Sequence, residues 1–569
     1  MKANIWTPEK IGCLLAYPNI SKIGQASLGM HVIENIAVKQ QGYVADTWYY
    51  PDLHEKQKIA SVRMRGPPNI FSIIGFSCAF ELDYPNVPRM LQMASIAQTA
   101  KERLAQRKSG NRVPAIVAGG VAVSSNPLVL LPFLDFIFIF DAERTFTEFL
   151  QNYMDRYEET MDLEIWWKKY TGTKRGIIPA FKYADGMPLE ELFTKDACKW
   201  DARPLDAFDV PLSQELLDPE DPSALGTSYL LEIGRGCGEG CRFCLIGNHQ
   251  RPPRFKSQTN IRASMQRLKT EGHSFRKIAL ISTNVADHPE LQEICSCILE
   301  NGYKISIPST KPCGDDSMLR IIEAAGIQTI TIAPETGSER LRMVAGKKIT
   351  NAEFESTVSG LTSHGVTTIK IYLLFGLPSE LPSDLDETIT FLEKLREITS
   401  KRGTKIHVTL NPFIPKLGTP FMFHVQNFLS TATQAFKKTY EAFAVRIEKA
   451  CRGKVDVMNL KEARMQAVLS LGGVELAPFL RVMEQAGRNA SKLQIPEEII
   501  DEVFLNIVKL LDRSDFPRYL SNIIPVSSKF LIREWQDAMK GLPSARCQPP
   551  GSCSRCMHVN CSDTNKQER

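Results

Sequence analysis

Three things are scarce in this 569-residue chain: an excess of charge of one sign, long apolar runs, and an apolar leader. Net charge is only +5, from 69 Lys and Arg against 64 Asp and Glu, and no long Lys/Arg block occurs. So mild a balance gives no electrostatic ground for a nucleic-acid partner. The most apolar stretch, LVLLPFLDFIFIF at 128–140, is broken by Pro132 and Asp135. A membrane helix needs about 20 apolar residues, so this stretch reads as a buried strand and no membrane partner is expected. The first residues, MKANIWTPEKIG, lack a signal peptide's apolar region, and a cytoplasmic location is the expectation. Against these absences stand 14 cysteines. In a cytoplasmic chain they point to metal or catalysis before disulfides.

Composition is otherwise that of a globular protein, 43% hydrophobic and 23% charged. The length suggests roughly three or four domains. Residues 1–150 form the first, where apolar runs alternate with helical patterns. The runs are KIGCLLAY (10–17), VADTWYY (44–50), FSIIGFSC (71–78), PAIVAGG (114–120) and the segment around 134–140. Helices are predicted near 27–41 and 85–107. Continuous apolar strands separated by helices imply a doubly wound parallel sheet covered on both faces. Ligands of such sheets bind beyond the carboxyl ends of the strands. Those ends carry Ser77-Cys78, Gly119-Gly120 and Asp141-Ala142-Glu143. Paired glycines there let a ligand approach the backbone, or simply make a tight turn.

Residues 151–227 read as a linker or strap with scattered prolines. A second alternation fills 228–425. Its strands are predicted at 229–233, 277–282, 304–308, 328–333, 368–375 and 405–410, with helices between them. Six β/α units suggest a full or partial parallel barrel, whose active site lies on the loops after the strands. Residues 426–569 read as mostly helical and end in a cysteine cluster at 547–561.

The loop after the first barrel strand is GRGCGEGCRFC, with Cys237, Cys241 and Cys244 at C-x3-C-x2-C spacing. Three thiolates on a glycine-rich loop can hold three irons of a 4Fe–4S cluster and leave the fourth open to substrate. A structural zinc wants a closed shell of four ligands, and His249 is the nearest further candidate. In the tail, Cys547, Cys553, Cys556 and Cys561 could close the shell of a second iron–sulfur cluster or of a zinc, with His558 as a substitute ligand. The scattered Cys13, Cys78, Cys198, Cys295, Cys297, Cys313 and Cys451 read as small core residues.

The three-cysteine spacing, with Phe243 before the last cysteine and six β/α units around it, resembles the radical S-adenosylmethionine (radical SAM) superfamily. SIPSTKP (306–312), APETGSERLR (333–342), YLLFGLPSE (372–380) and LNPFIPKLGTPF (410–421) are similar to its third- to sixth-strand segments. The N-terminal region resembles the flavodoxin-like cobalamin-binding domain that precedes some of these barrels. Two departures stand out. Asp52-Leu53-His54 is followed by Glu55-Lys56-Gln57, without the glycine of the D-x-H-x-x-G motif, so His54 is not expected to ligate cobalt. Asp141-Ala142-Glu143 stands in place of Gly-x-Gly-Glu.

The resemblance implies a cluster held by Cys237, Cys241 and Cys244. The open iron would chelate SAM, and its reductive cleavage would yield a 5′-deoxyadenosyl radical that takes hydrogen from an unactivated carbon. It implies that Phe243 packs beside the adenine and that Glu335 and Ser338 reach the ribose or methionine part. Arg340 would balance the SAM carboxylate or stand as a surface arginine. Gly376 would pass close to the adenine, Asn411 would contact SAM or substrate, and Ser77, Gly119 and Gly120 would line a corrin. With cobalamin, the implied activity is class B C-methylation, and relatives that methylate a glutamine of methyl-coenzyme M reductase suggest a protein substrate. Ferredoxin or flavodoxin would supply electrons. Radical chemistry without methyl transfer, and a non-catalytic iron–sulfur carrier, are the alternatives.

Overall fold

The computed structural model describes residues 10–51, 59–160, 162–200, 202–208, 228–270, 275–307, 309–312, 316–481, 493–512, 516–544, 546–547 and 556–558. His54 and Cys313 therefore lie outside the described residues, as do Cys553 and Cys561.

The N-terminal sheet contains β1 (Ile11–Tyr17), β2 (Tyr43–Tyr49), β3 (Ile73–Ser77), β4 (Ala115–Gly119), β5 (Phe136–Phe138) and β6 (Ile177–Ile178). Their spatial order is β2-β1-β3-β4-β5-β6. The first five are parallel and β6 closes the edge antiparallel. The strands read as unbroken apolar runs because both faces are covered. Leu14, Ala16, Ile74 and Ile116 enter one core, while Cys13, Leu15, Ile73 and Val117 enter another. Order 2-1-3-4-5 reverses between β1 and β3, which puts the ligand crevice at their carboxyl ends. Local signals agree with the fold. Ser27 caps the helix Leu28–Lys39, and Thr99 with Glu102 forms a capping box at the helix Ala100–Lys108.

The sheet continues past residue 150. The helices Glu143–Thr160 and Leu163–Lys169 pack on it, and Ile177–Ile178 pairs with Phe138 and Ile137. A two-residue strand carries no readable period, so this part of the segment 151–227, expected as a linker or strap, proves to be built onto the sheet.

The barrel strands are β7 (Ser228–Glu232), β10 (Lys277–Ile281), β11 (Lys304–Ser306), β12 (Thr329–Glu335), β13 (Thr368–Phe375) and β14 (Lys405–Pro412). Between the first two lies a small ribbon of β8 (Gly234–Arg235) and β9 (Arg254–Phe255). A seventh parallel strand, β15 (Lys454–Val457), pairs with β14 beyond the expected end of the barrel. Its sequence, KVDV, is too short and polar to stand out. The strands form two parallel groups, β11-β10-β7 and β12-β13-β14-β15, joined by the bridge Ser309 to Thr331. The result is a half-open barrel. Ile278, Ile305, Ile332, Ile371 and Val408 pack outward with the helices in one core.

The C-terminal helices, including Thr433–Cys451, Leu460–Leu471, Glu497–Lys509 and Ser528–Met539, do not form a separate lobe. Val468, Phe504 and Leu531 share a core with Ile74 and Ile116 of the N-terminal sheet. Asn126 reinforces this by donating to the carbonyls of Ser470 and Gly472 at 3.0 and 2.8 Å. Among the described residues no helix is long and apolar enough to cross a membrane.

Candidate active site

The three-cysteine loop leaves the carboxyl end of β7 and returns through β9, so the ribbon clamps its base. At its start Gly236 has φ +79° and sits against the Gln250 carbonyl, where a Cβ has no room. The Cys237 N–H donates to the same carbonyl at 3.3 Å. At the far end Cys244 caps the short helix Leu245–His249. Asn248 fixes the turn between them by donating to the carbonyls of Cys241 and Cys244 at 3.2 and 2.8 Å.

The thiols suit a cluster electrostatically. Backbone N–H groups of Glu239 and Gly247 point at the sulfurs of Cys237 and Cys244, at 3.4 and 3.5 Å. Burial pushes the Cys237 thiol up to about 11, and the neighbouring Cys244 adds to the shift. Burial also raises Cys241 and Cys244, and Lys347 opposes it at both. Three thiols within each other's electrostatic reach resist ionising together. A bound cation cluster relieves that repulsion. Among the described residues no three His, Cys, Asp or Glu side chains meet at a single metal-ion position.

Lys347 was not singled out in the sequence. Its ammonium bonds the Ala333 carbonyl and pairs with Glu335 at 2.8 Å. Glu335 ends β12 at a break in strand register and has φ +66°, a strained value for a non-glycine residue. The only sequence sign of Lys347 was its place after the turn glycine Gly346.

The other expected residues are distributed as follows. Ser338 caps the helix Glu339–Val344 and donates to Asp384 at 2.6 Å. Arg340 also pairs with Asp384 and donates to the Ser379 carbonyl at 2.7 Å. Burial would raise the Asp384 carboxyl, but the hydrogen bonds from Arg340 and Ser338 hold it below the usual range. Both side chains are thus committed to Asp384 here. Gly376, with φ +79°, closes β13, and a Cβ there would meet Phe436 at 2.6 Å. Its carbonyl accepts from Asn427 and bonds His424, both at 3.1 Å, and its N–H donates to Glu380 at 2.9 Å. Burial lifts Glu380 to about 8. Asn411 lies in β14, half-buried and without a side-chain partner among the described residues. Phe243 packs partly buried against the core shared with the C-terminal helices.

Ser77, Gly119 and Gly120 are brought together in the wall of a cavity of about 340 Å³. Leu15, Val117 and Phe138 make it apolar on the sheet side, and Glu232, Arg235 and Ile281 of the barrel face them. Gly120 has φ +109°, and a Cβ there would lie 2.5 Å from the Cys78 carbonyl oxygen. This cradle fits one face of a large flat ligand such as a corrin. Arg235, two residues before Cys237, joins the cavity to the loop. It pairs with Glu232 at 2.6 Å, Asp141 at 3.0 Å and Glu143. The Asp141-Ala142-Glu143 departure thus makes a charged joint between sheet and barrel.

The tail reaches the same loop. The Cys547 N–H donates to the Gly238 carbonyl at 2.7 Å, and Arg546 pairs with Glu239 at 2.9 Å. Cys556 is buried, and His558 bonds the His249 carbonyl at 2.8 Å.

These features define the class: a doubly wound sheet set before a half-open parallel barrel, with three thiols on the loop after the first barrel strand. Two family models match, one described as Radical SAM proteins, N-terminal, over residues 29–179, the other as the Radical SAM superfamily, over 231–392. Together they span more than half of the chain, and the chain belongs to the radical SAM superfamily. An uncharacterised protein of Methanocaldococcus jannaschii is 26% identical over 473 residues, 82% of this chain and 90% of its own length. A tRNA-2-methylthio-N(6)-dimethylallyladenosine synthase of Chlorobium phaeobacteroides is 23% identical over 190 residues, 31% of this chain and 42% of that one. The fold is similar to that of the cobalamin-dependent S-adenosylmethionine radical enzyme OxsB solved with aqua-cobalamin. The TM-score is 0.52 at 15% identity, over 94% of this chain and 84% of that one.

Proposed function

We propose that this radical SAM enzyme is a cobalamin-dependent C-methyltransferase that acts on an unactivated carbon. One observation carries the reading. The glycine-walled cavity of the N-terminal sheet and the three-thiol loop share a wall through Arg235. A corrin in that cavity and a cluster on that loop would face one substrate between them.

Cys237, Cys241 and Cys244 would hold a 4Fe–4S cluster, and Ser77, Gly119 and Gly120 would lie against cobalamin. When bound, the cluster supplies the electron that cleaves SAM and the corrin supplies a methyl group. The chain's own work is placement. Gly376 and Asn411 would border SAM, and Glu335, paired with Lys347, would stand at its edge. The apolar wall of Leu15, Val117 and Phe138 would lie against the corrin and keep water from that side of it. An external donor such as ferredoxin or flavodoxin would supply electrons, and a residue of a polypeptide is the substrate this reading favours. The tail cysteines, Cys547 and Cys556 among them, would bind a second metal.

The test is anaerobic reconstitution with SAM and cobalamin. Formation of both 5′-deoxyadenosine and S-adenosylhomocysteine supports methyl transfer. Formation of 5′-deoxyadenosine alone points to radical chemistry without it, and formation of neither points to a carrier.

A further inference from the structure

The charged joint between sheet and barrel leaves one polar atom unmatched. Asp141, Glu143 and Glu232 meet Arg235 there, in the wall of the cavity of about 340 Å³. Arg235 gives Nη1 to Asp141 at 3.0 Å and Nε to Glu232 at 2.6 Å. Its Nη2 serves Glu232 at 3.0 Å and Oε1 of Glu143. Asp141 has a second cation, Arg254, at 2.6 Å. Lys256 lies in the field of Glu232 and Glu143 but donates to the carbonyls of Leu205 and Phe208, at 3.0 and 2.8 Å.

Oε2 of Glu143 is left over. It is buried and has no hydrogen-bond partner among the described residues, and the residue as a whole is only 8% exposed. Burial raises this carboxyl, and Arg235 opposes the rise. Around it the cavity offers mostly apolar surface, from Met30, Phe138, Phe140 and Phe146. The uncharged side-chain donors of the wall, Ser77 and Gln250, do not reach it. A buried carboxylate oxygen without a donor is unfavourable, so one standing in a cavity wall calls for an occupant that supplies the donor. A trapped water is the bland occupant.

A corrin ring carries primary amides around its rim, and each amide is an N–H donor. The same ring with free carboxylates in their place presents only acceptors and negative charge. We propose that Glu143 selects an amidated corrinoid, with Oε2 accepting a hydrogen bond from a rim amide. The unmatched oxygen then favours the amide form and also repels the acid form, which gives discrimination from both sides. This rests on the proposed function for the presence of a corrinoid, but it is read by binding and not by turnover.

The probes are cobalamin, cobinamide, which has the amides but no nucleotide, and cobyrinic acid, which has carboxylates instead. Binding to the full-length, reconstituted protein is measured by anaerobic equilibrium dialysis, read by corrin absorbance. Glu143→Gln keeps an oxygen for Arg235 and puts an N–H group where Oε2 stands. It is expected to weaken cobalamin and cobinamide about tenfold and to leave cobyrinic acid unchanged or tighter. Arg254→Gln loosens the same joint from outside the cavity wall and should stay within about twofold of wild type for all three. Unchanged binding of cobinamide by Glu143→Gln overturns the inference and leaves water, or a protonated Oε2, as the account of that atom. An equal loss from Arg254→Gln, or loss of iron from Glu143→Gln, also overturns it, because the joint and not the oxygen would then be at work. A loss confined to cobalamin would put the donor at the nucleotide end and overturn the amide assignment. Failure of the wild type to bind either amidated corrinoid would remove the proposed cofactor and this inference together.

Discussion

The backbone N–H of Cys547 donates to the carbonyl of Gly238 at 2.7 Å, between Cys237 and Cys241. The tail is therefore stitched to the loop expected to carry the cluster, although about 300 residues separate them in sequence. Ser544 on Gly346, Arg546 on Glu239 and Glu534 on Arg242 make the same connection.

Arg242 anchors this assembly. It is fully buried, bonds Glu534 at 3.1 Å and donates to the carbonyls of Val344 and Leu542. Arg242→Leu removes the ion pair from the buried Glu534 carboxylate and should cost about 3–5 kcal/mol. Glu534→Gln keeps an acceptor and should cost about 1–2 kcal/mol. Urea denaturation of both variants measures the difference.

Gly346→Ala should loosen the cluster loop. Its φ is +82°, and a Cβ there would fall against the Gly240 carbonyl oxygen and Ser544. Gly365 has nearly the same φ, +84°, but open space around it. Both substitutions carry a left-handed penalty of about 1–2 kcal/mol. Only Gly346→Ala should reduce the iron retained after reconstitution, as read by metal analysis.

Much of this was legible in the sequence. The six expected barrel strands lie within a residue or two of those observed, because each is a short, largely apolar run bounded by turns. The three-cysteine loop and the paired glycines were visible for the same reason, as local patterns. Long-range pairing was not. Lys347 with Glu335, Arg235 with Asp141, and Arg340 with Asp384 are set by how distant strands and helices pack, and no sequence period reports them. The strands Ile177–Ile178 and Lys454–Val457 were too short to announce themselves.

Gly120→Ala should separate the two cofactor sites. The added Cβ lies 2.5 Å from the Cys78 carbonyl oxygen, at the cavity and away from the thiol loop. Cobalamin retention, read by its visible absorbance, should fall while iron content holds. Equal loss of both would mean that the substitution disturbs the whole fold.

Acid should weaken the fold through His424. Burial holds its imidazole down at about 4, against its bond to the Gly376 carbonyl. In the unfolded chain it titrates near 6.5. The folded state therefore resists a proton that the unfolded state accepts. Stability is full above about pH 6.5 and falls as pH drops toward 4, by about 3 kcal/mol for this group. His249 and His558 are depressed in the same direction, so the wild type is compared with His424→Gln, which keeps both. The variant's urea midpoint should fall less steeply across that window. Trp535, whose ring lies 6.2 Å from His424, reports the transition by fluorescence.

The most direct measurement concerns the three thiols. Reconstituted wild type and the variants Cys237→Ala, Cys241→Ala and Cys244→Ala are incubated anaerobically with SAM and a reductant, and 5′-deoxyadenosine is quantified. The expected result is cleavage by the wild type and none by any of the three variants. Wild-type levels of 5′-deoxyadenosine from even one variant would contradict the assignment of that loop as the cluster site.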